Sequence, residues 1–143
     1  MKRKLFVAAP LALAIALSPL ASIAGANKEK TEKPERISQG QEVQITDYVV
    51  KGKTTIFDFT SEFCPPCRVI APKLDKLHAD RADIVVVKVD INRPDVRGID
   101  WKSPVARQYA LNSIPHFKVF GPDGKLKVEG DEAYELVNGM VGG

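Results

Sequence analysis

A strand, a helix and a second strand follow one another directly, and this succession constrains the fold more than any other feature. The stretch Thr54–Thr60 is rich in β-branched and aromatic residues, which favour a strand. From Pro65 to Asp80 the apolar residues recur at helical spacing, at Ile70, Leu74 and Leu77. Residues 84–91 form a nearly continuous apolar run, typical of a strand covered on both faces. The pattern predicts a βαβ unit with a right-handed crossover.

The flanking segments predict further elements of an α/β domain. We expect a short strand and turn over 43–48, a loop insertion over 92–103 that contains Trp101, and a short helix over 104–110. Strands are predicted at His116–Phe120 and 125–129, joined by a hairpin turn over 121–124. A last helix over 131–138 would be capped by Asp131 or Gly130 and end at Gly139. Together these elements predict a mixed central sheet of about four to five strands with helices on both faces.

The N-terminal residues 1–26 have the pattern of an export signal. Lys2, Arg3 and Lys4 form a basic start, an apolar run follows over 5–17, and small residues offer cleavage near Ala24 or Ala26. An uncleaved membrane anchor is the alternative, but an apolar run of about 13 residues is short for a bilayer. No cysteine stands directly after the run, where a lipid would be attached, so we do not expect a lipoprotein. The predicted location is the periplasm, where disulfides persist.

The charge of the chain excludes one class of partner. Lys2, Arg3 and Lys4 account for the whole net charge of +3, because no acidic residue precedes Glu29. The rest of the chain is neutral and contains no basic patch, so nucleic acid is not an expected partner. Residues 27–40 are charged and polar and predict a linker or a loosely attached arm. The predicted domain occupies 41–143.

The only two cysteines stand three positions apart where the strand meets the helix. Cys64 is predicted at or just before the N-cap, with Pro65 at the first helical position, which tolerates a missing N–H. The positive end of the helix dipole favours a thiolate, and Arg68 adds a positive charge nearby. A cysteine in this setting should have a lowered pKa and act as a nucleophile toward disulfides.

Over residues 42–138 the chain resembles the thioredoxin family. The stretch 55–72, with Cys64-Pro65-Pro66-Cys67 inside it, matches the family's active-site strand and helix, and Ile114-Pro115 matches its second signature. The resemblance implies a thioredoxin-like fold and a disulfide exchange reaction that needs no cofactor and no metal. Phe63 stands where the family usually carries Trp, and Pro65 where it usually carries Gly.

The resemblance also implies how the cysteines divide the work. Cys64, nearer the surface, attacks a substrate disulfide, and the more buried Cys67 resolves the mixed disulfide. A purely structural disulfide is the alternative, although so short a loop yields little stabilisation. Half of a zinc site would need a second pair of ligands, and haem attachment would need His in place of Arg68.

Asp58 interrupts an apolar strand, where a carboxylate is costly unless it is useful. The matching family residue lies behind the resolving cysteine and assists its proton transfer, and burial should raise its pKa. The alternative is a carboxylate at a strand end that is satisfied by backbone N–H groups. Lys88 matches a family lysine that can pair with this Asp, or it is an ordinary strand lysine.

By the same resemblance Pro115 follows a cis peptide bond, or as the alternative begins a strand in the trans form. The backbone of Ile114 would then pair with an extended substrate, with Phe63, Pro65 and Pro66 completing the binding surface. His116 either tunes the disulfide or is a half-exposed strand residue without a catalytic role.

The sequence thus predicts an exported thiol–disulfide oxidoreductase that reduces disulfides of other exported proteins. Two hints favour a reductant: Pro65 has no N–H to stabilise a thiolate, and Ile114 is the thioredoxin-like residue before the proline. A disulfide-donating oxidant and a non-catalytic binding module are the alternatives. We expect a monomer, because no dimerisation domain is recognisable, with protein disulfides or dithiols as substrates and a membrane redox partner for recycling.

Overall fold

The computed structural model describes residues 28–142. The predicted signal peptide over 1–26, with its cleavage sites at Ala24 and Ala26, lies outside the described residues. Within 28–142 no helix combines the length and the apolar character that crossing a bilayer requires.

Five strands, three α-helices and one short 3-10 helix make up the described chain. The strands are β1 (Glu35–Ile37), β2 (Thr54–Thr60), β3 (Ile84–Asp90), β4 (His116–Phe120) and β5 (Leu126–Glu129). The α-helices are α1 (Pro65–Asp80), α2 (Pro104–Gln108) and α3 (Gly130–Val141), and the 3-10 helix spans Ile45–Tyr48. The predicted β2, α1 and β4 are confirmed with the bounds that the sequence indicated.

The strands form one mixed sheet in the order β1-β3-β2-β4-β5. Strand β3 pairs in parallel with both β1 and β2, while β4 pairs antiparallel with β2 and with β5. Strand β2, which leads into the cysteine pair, therefore lies at the centre of the sheet. The α/β fold class and the mixed sheet are confirmed.

Helices cover both faces of the sheet, as predicted. On one face α1 and α3 pack against β2, β3 and β4 in a core built from Ile56, Ile70, Leu74, Leu77, Ile84, Val86, Phe117, Val119, Ala133 and Val137. On the other face Val105 and Ala106 of α2 join a second core around Phe57, Phe59, Val87 and Val89. Burial of these side chains supplies the main driving force for folding, at about 25 cal/mol per Å² of apolar surface.

The predicted strand over 43–48 is wrong, because Ile45–Tyr48 forms the 3-10 helix. The Tyr109 hydroxyl accepts a 3.2 Å hydrogen bond from the N–H of Ile45 and donates one of 2.6 Å to the carbonyl oxygen of Val43. These backbone groups therefore find partners without a neighbouring strand.

The expectation of a loose arm over 27–40 is wrong at its end, where Glu35–Ile37 forms β1 along the edge of the sheet. Ile37 is buried in the core beneath α2. Nearer the start of the arm, the Thr31 carbonyl oxygen lies 2.8 Å from Nε2 of the buried His78, whose Nδ1 accepts a hydrogen bond from the N–H of Val86. The charged sequence gave no sign of these partners, because they lie on α1 and β3.

The last helix differs from its prediction at both ends. It begins at Gly130 after the N-cap residue Glu129, whose side chain makes no capping hydrogen bond, so neither Asp131 nor Gly130 caps it. It continues through Gly139 to Val141, because Met140 and Val141 still pack against the core beneath α1 and α3. Tertiary contacts here outweigh the low helix propensity of glycine.

Candidate active site

The cysteine pair lies at the start of α1, where the sequence placed it. Cys64 is the N-cap residue and Pro65 and Pro66 open the helix. The two cysteines form a disulfide with a Cα–Cα distance of 5.3 Å, within the usual range for such bonds. The N–H of Cys67 donates a 3.2 Å hydrogen bond to Sγ of Cys64. Since neither proline has an N–H, Cys67 supplies the first backbone donor of the helix to this sulfur.

The two cysteines are equally enclosed, which corrects the expectation that Cys64 lies nearer the surface. Each has an exposed fraction of 1%. In the oxidised pair Sγ of Cys64 is bonded to Cys67 and lies 3.7 Å from the carbonyl oxygen of Ile114. The exposed residues of the motif are the two prolines between the cysteines. A partner therefore meets Pro65 and Pro66 before it meets sulfur.

The peptide bond between Ile114 and Pro115 is cis, as predicted, and the trans alternative is wrong. This bond follows the loop before β4 and places the Ile114 carbonyl oxygen opposite Cys64. Both residues are partly exposed, so their backbone borders solvent next to the disulfide. The roles given to Ile114 and Pro115 in substrate binding stay predictions.

Asp58 is fully buried in the middle of β2, and neither of its carboxyl oxygens has a hydrogen-bond partner among the described residues. The alternative of a strand-end carboxylate satisfied by backbone N–H groups is therefore wrong. Asp58 follows Ile56 by two positions, so its side chain lies on the face covered by α1. Burial raises the pKa of Asp58 to about 7, with opposing contributions from Lys88 and Arg36. Such a group can gain and lose a proton at neutral pH.

Lys88 lies beside Asp58 in the pairing of β2 with β3, but its ammonium pairs elsewhere. Its Nζ lies 2.5 Å from Oδ1 of Asp75 on α1. The predicted ion pair between Lys88 and Asp58 is therefore absent. Sequence reasoning missed Asp75, because it lies about two helical turns beyond Cys67 and belongs to no motif.

The two remaining candidates for tuning are placed differently. Arg68 is exposed on the first turn of α1. His116 pairs with Phe59 across β2 and β4, and their rings pack edge to face at 5.7 Å, on the face opposite Asp58. Burial, aided by Lys118, lowers the pKa of His116, and its Nε2 has no partner among the described residues. This placement favours the interpretation of His116 as a packed strand residue.

Two small cavities flank the cis peptide bond. One of about 300 Å³ borders Ser113, Ile114 and Asp131, and one of about 250 Å³ borders Val69 and Lys73. Both are also lined by Pro66, Pro115 and Tyr134. The sequence singled out the two prolines but not Tyr134, which α3 brings to this edge.

Within residues 28–142 no three His, Cys, Asp or Glu side chains are grouped so that they could hold a metal ion. The groups that could take part in disulfide chemistry include the Cys64–Cys67 disulfide, the buried carboxyl of Asp58 and the backbone at the cis peptide bond before Pro115.

The mixed sheet with an oxidised C-x-x-C pair at the start of α1 and a cis proline beside it defines a thioredoxin-fold protein. The chain belongs to the thioredoxin family, whose family model matches residues 38–140.

Curated relatives agree with this assignment. Thioredoxin H3 of Arabidopsis thaliana is 35% identical over 75 residues, which cover 52% of this chain and 56% of that protein. A chloroplastic thioredoxin F of Oryza sativa subsp. japonica is 31% identical over 90 residues, or 62% of this chain and 44% of that protein. The chain thus spans about half the length of these curated relatives.

Solved structures share the fold. Thioredoxin f2 of Chlamydomonas reinhardtii superposes with a TM-score of 0.53 at 23% identity, covering 74% of this chain and 94% of the other. A mutant thioredoxin from Halobacterium salinarum gives a TM-score of 0.53 at 18% identity, covering 80% of this chain and 96% of the other.

Proposed function

We propose that this protein is an exported thiol–disulfide oxidoreductase that reduces disulfides of other exported proteins. The observation that carries the proposal is the position of the Cys64–Cys67 disulfide at the start of α1, with the Ile114 carbonyl oxygen 3.7 Å from Sγ of Cys64. A structural crosslink would have no need of a helix N-terminus or of a neighbouring cis proline.

Cys64 and Cys67 are sufficient to carry both steps of disulfide reduction. In the reduced protein the Cys64 thiolate attacks one sulfur of a substrate disulfide, forms a mixed disulfide and releases the other sulfur as a thiolate. The Cys67 thiol then loses its proton and attacks Sγ of Cys64, which frees the second substrate sulfur. Two electrons pass to the substrate, whose two thiolates take up the proton given up by Cys67 and one proton from solvent, and the Cys64–Cys67 disulfide remains. A membrane dithiol donor returns both electrons.

The direction of the reaction is supported by the few donors around Cys64. Disulfide oxidoreductases that act as strong oxidants stabilise their reduced form, including its thiolate. Here Pro65 and Pro66 present no N–H, so Cys67 is the first residue of α1 able to donate from its backbone. A less stabilised thiolate makes the dithiol a better reductant.

Export to the periplasm is supported by the basic and apolar pattern of residues 1–26 and by the cysteine pair, which suits a compartment where disulfides persist. The protein would act there as a monomer.

Insulin reduction with dithiothreitol as electron donor tests the activity. We expect precipitation of the insulin B chain to accelerate with the wild type and to fall to the uncatalysed rate with Cys64→Ser. Lys125→Ala, an exposed substitution after the hairpin turn at the opposite end of β4, is the matched control and should keep the wild-type rate. Equal rates for wild type and Cys64→Ser would overturn the proposal.

The reduction potential, measured by equilibration with glutathione, tests the direction. We expect a potential below that of the glutathione couple, near the range of cytosolic thioredoxins at about −270 mV. A potential well above the glutathione couple would identify an oxidant instead.

Fractionation of cells that express the full chain tests export, because a cleaved form in the periplasmic fraction is expected.

A further inference from the structure

Charged side chains form a row across three strands on the face covered by α1. Arg36 of β1 lies beside Lys88 of β3, and Lys88 lies beside Asp58 of β2. Paired residues of neighbouring strands point to the same face, so both cations share a face with the buried carboxyl. On β4 the same row continues with Phe117, which has no charge. From α1, Asp75 contacts this row through Lys88.

Both cations of the row are bonded to other carboxylates. Nζ of Lys88 lies 2.5 Å from Oδ1 of Asp75. Arg36 donates from Nε and Nη2 to Oδ2 of Asp90, at 3.0 and 2.9 Å. The two oxygens of Asp58 meanwhile have no partner in the described part of the chain. Asp58, the one buried carboxyl group of the row, therefore has no positively charged group in contact with it.

The absence of an ion pair between Lys88 and Asp58 requires a physical explanation. Charges interact strongly in the poorly screened interior, so a buried carboxylate attracts a neighbouring ammonium group. Asp75 offers a carboxylate whose own side chain is half exposed, so this acceptor keeps more of its hydration than the buried carboxyl of Asp58. Lys88 and Asp75 both line a surface cavity of about 470 Å³, together with Arg36 of β1 and residues of the segment before it.

We propose that Asp75 is a positioning residue that holds the Lys88 ammonium away from Asp58, so that the Asp58 carboxyl stays free to accept and return a proton during disulfide exchange. The role in exchange rests on the proposed function. The positioning itself concerns only the three side chains and their charges.

The electrostatics of the site agree with this arrangement. Burial dominates the pKa of Asp58 and raises it to about 7, Lys88 and Arg36 lower it, and Asp75 raises it. An ammonium released from Asp75 and turned toward Asp58 would fix the carboxyl as an anion, which is a poor proton donor at neutral pH.

The titration of Asp58, followed by the carboxyl ¹³C resonance in the oxidised protein, tests the positioning. In that form the cysteines do not titrate. We expect Asp75→Asn to lower the midpoint by roughly one pH unit or more, because an opposite charge in contact lowers a carboxyl pKa by about 1 to 3 units. Asp75→Glu should restore most of the wild-type midpoint. Asp80→Asn, on the same helix and also paired with a lysine, is the matched control and should leave it unchanged.

A double-mutant comparison shows whether Asp75 acts through Lys88. Lys88→Met should raise the midpoint, and adding Asp75→Asn to it should lower the midpoint by less than half of the change seen with Lys88 present. An unchanged midpoint in Asp75→Asn, or an equal fall with and without Lys88, would overturn the proposal.

The readout separates this inference from the proposed function. The titration needs no substrate. A protein that does not reduce insulin would contradict the proposed oxidoreductase function, while the positioning of Lys88 by Asp75 could still be confirmed by the titration. If the enzyme is active, the pH profile of the resolution step in Asp75→Asn should move to lower pH together with the titration midpoint, whereas Asp80→Asn should keep the wild-type profile.

Discussion

The Ser61 hydroxyl donates a 2.6 Å hydrogen bond to the side-chain oxygen of Asn92, and both residues are buried. The same hydroxyl accepts a 3.1 Å hydrogen bond from the N–H of Phe63, in the turn before the cysteines. The amide of Asn92 donates to the carbonyl oxygens of Gly98 and Val96, at 2.6 and 3.3 Å. Asn92 thus joins the turn that precedes Cys64 to the inserted loop over 92–103.

Asn92→Ala should therefore destabilise the protein by about 2–4 kcal/mol, because Ser61 and the loop carbonyl groups lose buried partners at once. Urea unfolding measures this change in the free energy of unfolding. Asn112→Ala, an exposed substitution of the same kind, should change it by less than about 0.5 kcal/mol. Similar small losses for both variants would mean that the loop is not held by Asn92.

The stability of the wild type should fall as pH rises from about 4 to about 7. The folded-state pKa of Asp58 is raised to about 7, so between the unfolded and folded values the native state binds more protons. Once the pH is above about 7, the free energy of unfolding should be about 2–4 kcal/mol lower than at pH 4, because the native state must then hold a buried charged carboxylate. Urea unfolding at pH 4 and pH 8 should show the decline in wild type and its absence in Asp58→Asn. A parallel decline in both proteins would assign it to other groups.

Asp58→Asn should also slow turnover more than binding. An amide cannot take up the Cys67 proton, whereas the surface that meets the substrate is unchanged. Single-turnover kinetics should show a slower resolution of the mixed disulfide with formation of the mixed disulfide nearly unaltered. An unchanged resolution rate at pH 7 would argue against proton transfer by Asp58.

His116 should contribute a pH dependence of the opposite sign. Its pKa is lowered in the folded state, chiefly by burial, so the unfolded chain takes up the proton first and stability is lost as pH falls below about 6.5. In an Asp58→Asn background, which removes the larger carboxyl effect, His116→Phe should abolish this loss. Unfolding measured at pH 5 and pH 8 checks the prediction, and a loss of the same size without the imidazole would contradict it.

His78 should hold the segment before β1 against α1. His78→Ala removes the contact with Thr31 and leaves the N–H of Val86 without its acceptor. We expect faster proteolytic cleavage within residues 28–34 and a loss of about 2–4 kcal/mol in the free energy of unfolding. Lys73→Ala, an exposed substitution on the same helix, should leave both unchanged. Equal cleavage rates would show that the segment is held by other contacts.

The sequence was sufficient where local pattern and tertiary structure agree. The apolar spacing of Ile70, Leu74 and Leu77 predicted α1. The nearly continuous apolar run from Ile84 predicted a strand covered on both faces, and β3 forms there, between β1 and β2 in the sheet. The position of the cysteine motif at the start of α1 was also predictable, because Pro65 directly after Cys64 is typical of the first position of a helix.

The sequence was insufficient where partners are distant along the chain. Glu35–Ile37 forms a strand because β3 offers a free edge, and the charged residues around it gave no apolar pattern. Ile45 forms a 3-10 turn because the hydroxyl of Tyr109 satisfies its N–H. Lys88 forms its ion pair with Asp75, whereas the family resemblance suggested Asp58. The difference depends on how α1 packs on β3, which no local pattern in the sequence shows.

The central position of β2 has a consequence for the lifetime of the site. Fluctuations that open only the margins of a protein occur at lower free energy than those that expose its middle strands. With β3 and β1 on one flank and β4 and β5 on the other, fraying of either outer strand leaves Asp58 and the approach to Cys64 in place. Reactivity should therefore persist through partial melting and vanish together with the last cooperative unit of the domain.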